Sequence, residues 1–262
     1  MVDGWGTVRP EDSWMPEGFD LVDEAQLHRA TQLLSPAACI DLGNWWLAVR
    51  RGTQTTPSLD IASTCIIETA CGPTPGILLV EAKAHAEELR SEELGKPFKE
   101  QNSPENHERI GAAIASSSLI LARETGLEWR LSRGSHYQMS NRFAWAAKLA
   151  ELGIPVILVY LGFLNAEEMA DRGRPFVSHS DWESAVLEHS APIFPEQVWN
   201  RAWHVCGQPL IALIKSMEIE YERALVDDLP IGRRLGTAKG DFVVPEDFDA
   251  ALPESVRKRI ED

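Results

Sequence analysis

Three kinds of apolar spacing divide the chain. Residues 21–34 carry apolar positions at helical intervals, which predicts an amphipathic helix ended by Ser35-Pro36. Residues 45–49 and 59–67 are rich in β-branched and aromatic side chains and predict two strands, joined as a hairpin by the polar connection 50–57. The turn-forming run Cys71-Gly72-Pro73-Thr74-Pro75-Gly76 then leads into Ile77-Leu78-Leu79-Val80. That unbroken apolar run is what a strand covered on both faces shows, and it is the predicted central strand.

Ser103-Pro104-Glu105 supplies an N-cap hydroxyl, a proline where a helix has an N–H to spare, and an acid in the first turn. A helix is therefore predicted from residue 103 to about 124, stopped near Gly126, with Ile110, Ile114 and Leu121 inward. A second is predicted over 138–152, with Phe143, Ala147 and Ala150 inward and Gly153 as its stop, and a buried strand over 154–164. Strand, helix and strand in that order need a crossover, which favours a parallel pair inside a mixed sheet. The fold class is α/β, a mixed central sheet flanked by helices. Beyond Pro195, residues 196–206 and 210–225 read as added C-terminal helices, broken at Gly207 and Pro209. Residues 1–20 read as an acidic arm, 21–229 as the folded domain with its helical extension, and 230–262 as an acidic, loosely attached tail.

Composition changes this picture in two respects. No apolar run approaches the roughly 18 residues that span a bilayer, and no basic-then-apolar leader opens the chain, so a cytoplasmic protein with no membrane partner is expected. Cys39, Cys65, Cys71 and Cys206 form no CxxC pair and are expected reduced and buried. The formal charge of -15 opposes long-range attraction of phosphate, yet residues 129–148 hold Arg130, Arg133, Arg142 and Lys148 without an acid, a basic segment hidden in an acidic average. The nine tryptophans, in pairs such as Trp45-Trp46 and Trp199 with Trp203, fit core packing better than base stacking.

The candidate chemistry sits where the central strand ends. Alternation puts Glu81, Lys83 and His85 on one side of the sheet. A buried carboxylate beside an ammonium calls for a second acid or a metal, and Asp60 on the preceding strand can supply the acid. Two carboxylates and substrate phosphate are what a hard cation such as Mg²⁺ takes, with Mn²⁺ as a substitute. The same residues also read as an ordinary ion pair beside an acid in a turn.

Pro57-Ser58-Leu59-Asp60 followed by Glu81-Ala82-Lys83 resembles the PD-(D/E)XK nuclease superfamily, also called restriction-endonuclease-like, although Pro57 and Asp60 are not adjacent and the helix from 103 is an extra element. The resemblance implies a core of one helix, a three-stranded meander, a helix and a fourth strand, covering roughly the middle half of the chain. It also implies Asp60, Glu81 and the Ala82 carbonyl as metal ligands and Lys83 beside them. A polar helper on the following helix, Gln138 or Asn141 with Arg142, and an N-terminal helical acid, Glu24, complete the implied set. His85 and the segment Ser132-Arg133-Gly134-Ser135-His136, ahead of a helix N-terminus, are further candidates for contacting phosphate. The acids Glu87, Glu88, Glu92 and Glu93 read as a solvated helical face. The expected function is Mg-dependent cleavage of nucleic acid, DNA in preference to RNA. The alternatives are a nuclease-like binding or assembly module and a hydrolase of a smaller phosphoester; a homodimer stays open.

Overall fold

The longest continuous apolar segments become neighbouring strands of one sheet. The computed structural model describes residues 2, 4–16, 25–49, 56–70, 72–96 and 103–218. All lie in the first of two compact units, Met1–Ile219; the second, Glu220–Asp262, contains the expected tail and lies outside the described residues.

β3 (Ile61–Thr69) and β4 (Gly72–Lys83) form an antiparallel pair running from Ile61↔Val80 to Thr69↔Gly72. β4 runs parallel to β5 (Val156–Leu164), from Ile77↔Val156 to Lys83↔Gly162, as the crossover argument requires. β5 is parallel in turn to β7 (Gln208–Glu218), and β6 (Arg201–Val205) closes that edge antiparallel to β7. At the other edge β1 (Gly6–Thr7) and β2 (Trp14–Met15) pair antiparallel with β3. Among the described residues the sheet has seven strands and is mixed, and the fold class is α/β.

β4 takes in the stretch expected to be a turn, and its prolines show why this is tolerated. The Ile77 N–H donates toward β5, to the Pro155 carbonyl at 2.9 Å, so by alternation the nitrogens of Pro73 and Pro75 also face that side. There the ladder with β5 begins only at Ile77, and no donor is lost.

Helices α1 (Pro36–Trp46), α3 (Pro104–Thr125), α4 (Tyr137–Glu151) and α5 (His179–Ser190) contribute Leu42, Ile114, Phe143 and Trp182 to one apolar cluster with Leu79, Leu158, Tyr160 and Ile214 of the strands. Leu78, Val80, Ile157, Val159 and Leu213 form a second cluster on the opposite face, with Val2. Gly162 makes room for the α5 indole: a Cβ there would sit 2.6 Å from a ring carbon of Trp182. Tryptophans behave as packing residues, Trp45, Trp46 and Trp145 meeting at ring centroids 5.2–5.5 Å apart.

Several expectations fail for identifiable reasons. Ser35-Pro36 starts a helix instead of ending one: the Ser35 hydroxyl accepts from the Ala38 N–H, and Pro36 takes the first turn, where no donor is needed. Residues 45–49, expected as a strand, finish that helix and then meet Asn106, whose amide exchanges hydrogen bonds with the Val49 backbone at 2.8 and 2.9 Å. The meander's first strand is thus missing from its expected place, and β3's outer partners come from residues 6–7 and 14–15 of the supposed arm. Residues 196–206 and 210–218 are largely strand, not helix. Cys206 and Gly207, with φ of 51° and 81°, make the left-handed two-residue turn that a hairpin demands, and the apolar run 210–214 is a parallel strand buried on both faces. α5, capped by the Ser178 hydroxyl, had no predicted counterpart. Cys206 is exposed, while Cys39 and Cys65 are buried thiols. Residues 21–24, including Glu24, and Cys71 lie outside the described residues. No described helix is long and apolar enough to cross a membrane.

Candidate functional site

The ladder between β3 and β4 ends at Ile61↔Val80, so one step further Asp60 stands across from Glu81. By the alternation that turns Ile77 toward β5, the Ala82 N–H points the other way, and Asp60 Oδ2 accepts from it at 2.7 Å. The acid is thereby tied to the backbone between Glu81 and Lys83.

Glu81 is almost fully enclosed, and its two oxygens are divided among three side chains. Oε1 accepts from the Lys83 ammonium and from the Gln138 amide, and Oε2 accepts from Arg142 Nε at 2.6 Å. Lys83 and Arg142 are buried as well. Gln138 and Arg142 lie one turn apart on α4, so both reach the same end of β4. Asn141 joins through Arg142, whose Nη1 donates to its Oδ1 at 2.7 Å. The structure therefore brings Asp60, Glu81, Lys83, Gln138, Asn141 and Arg142 together.

The electrostatics of the two acids differ. Burial pushes the Glu81 carboxyl up, but the charges and hydrogen bonds of Arg142 and Lys83 outweigh it and hold the group below its ordinary value. Burial raises Asp60 too, and the neighbouring Glu81 charge adds to this. The Ala82 hydrogen bond, Lys83 and Arg142 offset only part, leaving Asp60 at about 6.

The remaining candidates go elsewhere. His85 begins α2 (Ala86–Glu92): its backbone N–H donates to Glu88 Oε2 at 3.2 Å, and its Nε2 lies 3.9 Å from the same oxygen. Arg133 leans on α3, donating to the His107 carbonyl, with Glu108 at 3.4 Å. The loop expected to cradle phosphate bonds within the protein: the Gly134 N–H donates to Ser132 Oγ, the His136 N–H donates to the Glu93 carbonyl, and Ser135 bridges to Leu94. His136 packs its ring 4.8 Å from that of His189.

The basic segment is not a basic surface. Arg130 pairs with Glu128 at 2.6 Å, Arg133 with Glu108, Arg142 with Glu81, and Lys148 with Glu151 at 3.1 Å. Glu128 and Glu151 flank the window in sequence, whereas Glu108 and Glu81 come from α3 and β4, and a one-dimensional charge count cannot register those two.

Tyr137 and Lys96 were not foreseen. Lys96 lies over the Tyr137 ring, 4.9 Å from its centroid, and burial lowers the ammonium's pKa and raises the phenol's. No spacing in the sequence links a residue of the 93–96 segment to the start of α4. No model of a known protein family matches this chain, and no curated protein or solved structure matches it.

Proposed function

We propose that this chain is a cytoplasmic, metal-dependent phosphodiesterase of the nuclease kind, with Asp60, Glu81 and Lys83 at its reaction centre. The observation that carries this reading is the end of the β3–β4 ladder, where Asp60 faces Glu81 and Lys83 stands beside both. The donor set fits a hard divalent cation: it is an oxygen-only pair of acids, and Asp60 stays near pKa 6 because burial, and then the Glu81 charge, outweigh the Ala82 hydrogen bond and the cations Lys83 and Arg142. Asp60, Glu81 and the Ala82 carbonyl would hold Mg²⁺ or Mn²⁺. Bound there, the ion supplies polarisation of a phosphoryl oxygen and a lowered pKa for water.

The protein's own groups have separate tasks. Lys83 offsets charge that builds on the phosphoryl oxygens as the leaving oxygen departs in line. Gln138 and Arg142 orient Glu81, and the Ala82 N–H orients Asp60. Cleavage of linear duplex DNA, single-stranded DNA, RNA and a chromogenic phosphodiester, each with Mg²⁺ or Mn²⁺, tests the proposal. Metal-dependent turnover is expected, and it should vanish in Asp60→Ala and Lys83→Ala while their folds persist. Full activity in either variant sinks the assignment.

A second reading is favoured by the paired cations of 129–148. With Arg130, Arg133 and Lys148 matched to acids and a net charge of -15, little long-range pull on a polyanion remains, which suits a small phosphoester. Turnover of the chromogenic substrate with none of the nucleic acids would select it. A folded chain that gives no calorimetric heat with millimolar Mg²⁺ or Mn²⁺ would instead leave a nuclease-like binding module.

A further inference from the structure

From the convergence of Glu93, His136 and His189 on a cleft beside α4, we propose a second metal site, for a transition-metal dication of the zinc kind. One ligand-capable atom from each of the three lies within 4.8 Å of the others. The cleft has a volume of about 450 Å³ and is also lined by Arg90, Arg174 and Glu188. Two imidazoles and one carboxylate suit zinc and its first-row neighbours, whereas the oxygen-only pair at Asp60 and Glu81 suits Mg²⁺. Three protein ligands leave a coordination position facing the cleft.

The backbone holds this arrangement independently of any ion. Residues 93–96 lie against 133–136: the His136 N–H donates to the Glu93 carbonyl at 3.2 Å, the Lys96 N–H donates to the Arg133 carbonyl at 2.8 Å, and Leu94 bridges Ser135. The two segments approach so closely that a Cβ on Gly95 would sit 2.5 Å from the Gly134 carbonyl oxygen. His136, at φ 46° and ψ 44°, is a left-handed residue with a full side chain just ahead of α4, a position where glycine or asparagine would be less strained. His189, buried in the last turn of α5, completes the set with its ring 4.8 Å from that of His136.

Ligand atoms about 2.1 Å from a tetrahedral zinc lie about 3.4 Å from one another, so closure needs a side-chain shift on the order of an ångström. Glu93 is exposed and free to make it. Arg174 does not oppose the cation as a bare charge, since Asp181 holds its guanidinium through two bonds of 3.0 Å. Arg90 likewise pairs with Glu87.

The test uses the full chain, freed of metal by a chelator and dialysed. Zn²⁺ titration followed by calorimetry and elemental analysis should give one equivalent bound, and Co²⁺ should give the intense visible absorption of a four-coordinate site. Glu93→Gln, at an exposed position, and His136→Asn, which tolerates the left-handed backbone, should each weaken Zn²⁺ binding. The expected loss is at least the 10- to 100-fold that removing even an outer-shell partner produces. Asp60→Asn should bind Zn²⁺ as the parent does, which separates this site from the phosphodiesterase proposal. A folded chain that takes up no Zn²⁺ overturns the inference. So does binding untouched by Glu93→Gln and His136→Asn, or binding lost in Cys206→Ser alone.

Discussion

At the start of α4 the chain holds two polar groups, Glu81 with Lys83, Gln138 and Arg142, and Glu93 with His136 and His189. The first brings its own cations. Glu81 is enclosed between an ammonium and a guanidinium, so the energetic demand of burying its charge is met within the fold. The second is built differently: its carboxylate is exposed, and its other two ligand-capable groups are imidazoles beside a cleft. Compensated charge fixes Glu81 in place ahead of any ion, whereas the exposed Glu93 carboxylate can move to meet one. Asp60 sits between these cases, tied to one backbone N–H and still raised to about 6.

The comparison breaks most visibly at Arg142. Arg142→Ala leaves Glu81 buried with one cation fewer, and the expected loss is about 3–5 kcal/mol, read from urea unfolding. A loss below about 1 kcal/mol would mean that the cluster is not a buried anchor.

Asp60→Asn sharpens the contrast between anchor and reactive acid. Metal-dependent cleavage should fall by at least about a hundredfold, comparable to the upper range for disturbing a metal's outer shell, whereas metal-free stability at pH 8 should be equal or higher. The sign follows from the raised pKa. Asp60's stabilising contribution is fully present below its unfolded value of 3.8 and is lost as pH rises through about 6. The stability difference, wild type minus Asp60→Asn, should therefore decline between pH 4 and pH 7. A difference that grows over that window would contradict the electrostatic account. Glu81 has the opposite sign: its contribution is present above 4.5 and is lost at lower pH, and so leaves this window largely alone.

The smallest effects belong to exposed groups. Glu93→Gln without metal should change stability by no more than about 0.5 kcal/mol, so that its consequence shows only when Zn²⁺ is added. Arg130→Gln, at a solvent-exposed pair, should cost about 0–1 kcal/mol and leave the salt dependence of any nucleic-acid binding nearly unchanged. A steep loss of such binding would restore the basic segment as a phosphate-contacting surface.

Features with a local cause were legible before the fold was known. Ser103, Pro104 and Gly126 bound a helix through capping chemistry that needs no distant partner, and α3 runs between them. The apolar run 77–80, the crossover and the run up to Leu164 led to the parallel pair β4–β5. Glu81 and Lys83 on one face followed from alternation alone, and Gln138, Asn141 and Arg142 were on the candidate set because the resemblance implies a polar helper on the helix predicted there. The C-terminal strands were misread because 210–214 is apolar without a period, so helix and buried strand look alike until a neighbouring strand is present.

The amino-acid order by itself determined the helix caps, the α/β alternation and which end of β4 carries polar chemistry, because hydrogen bonding and side-chain alternation over a few residues decide those. Only the tertiary structure decided that residues 6–7 and 14–15 edge the sheet. It also decided that Arg133 meets Glu108 and Arg142 meets Glu81, and that Glu93, His136 and His189 meet. Each of these depends on segments far apart in the chain arriving at one place, and the free energy of burial that brings them there is a property of the packed whole.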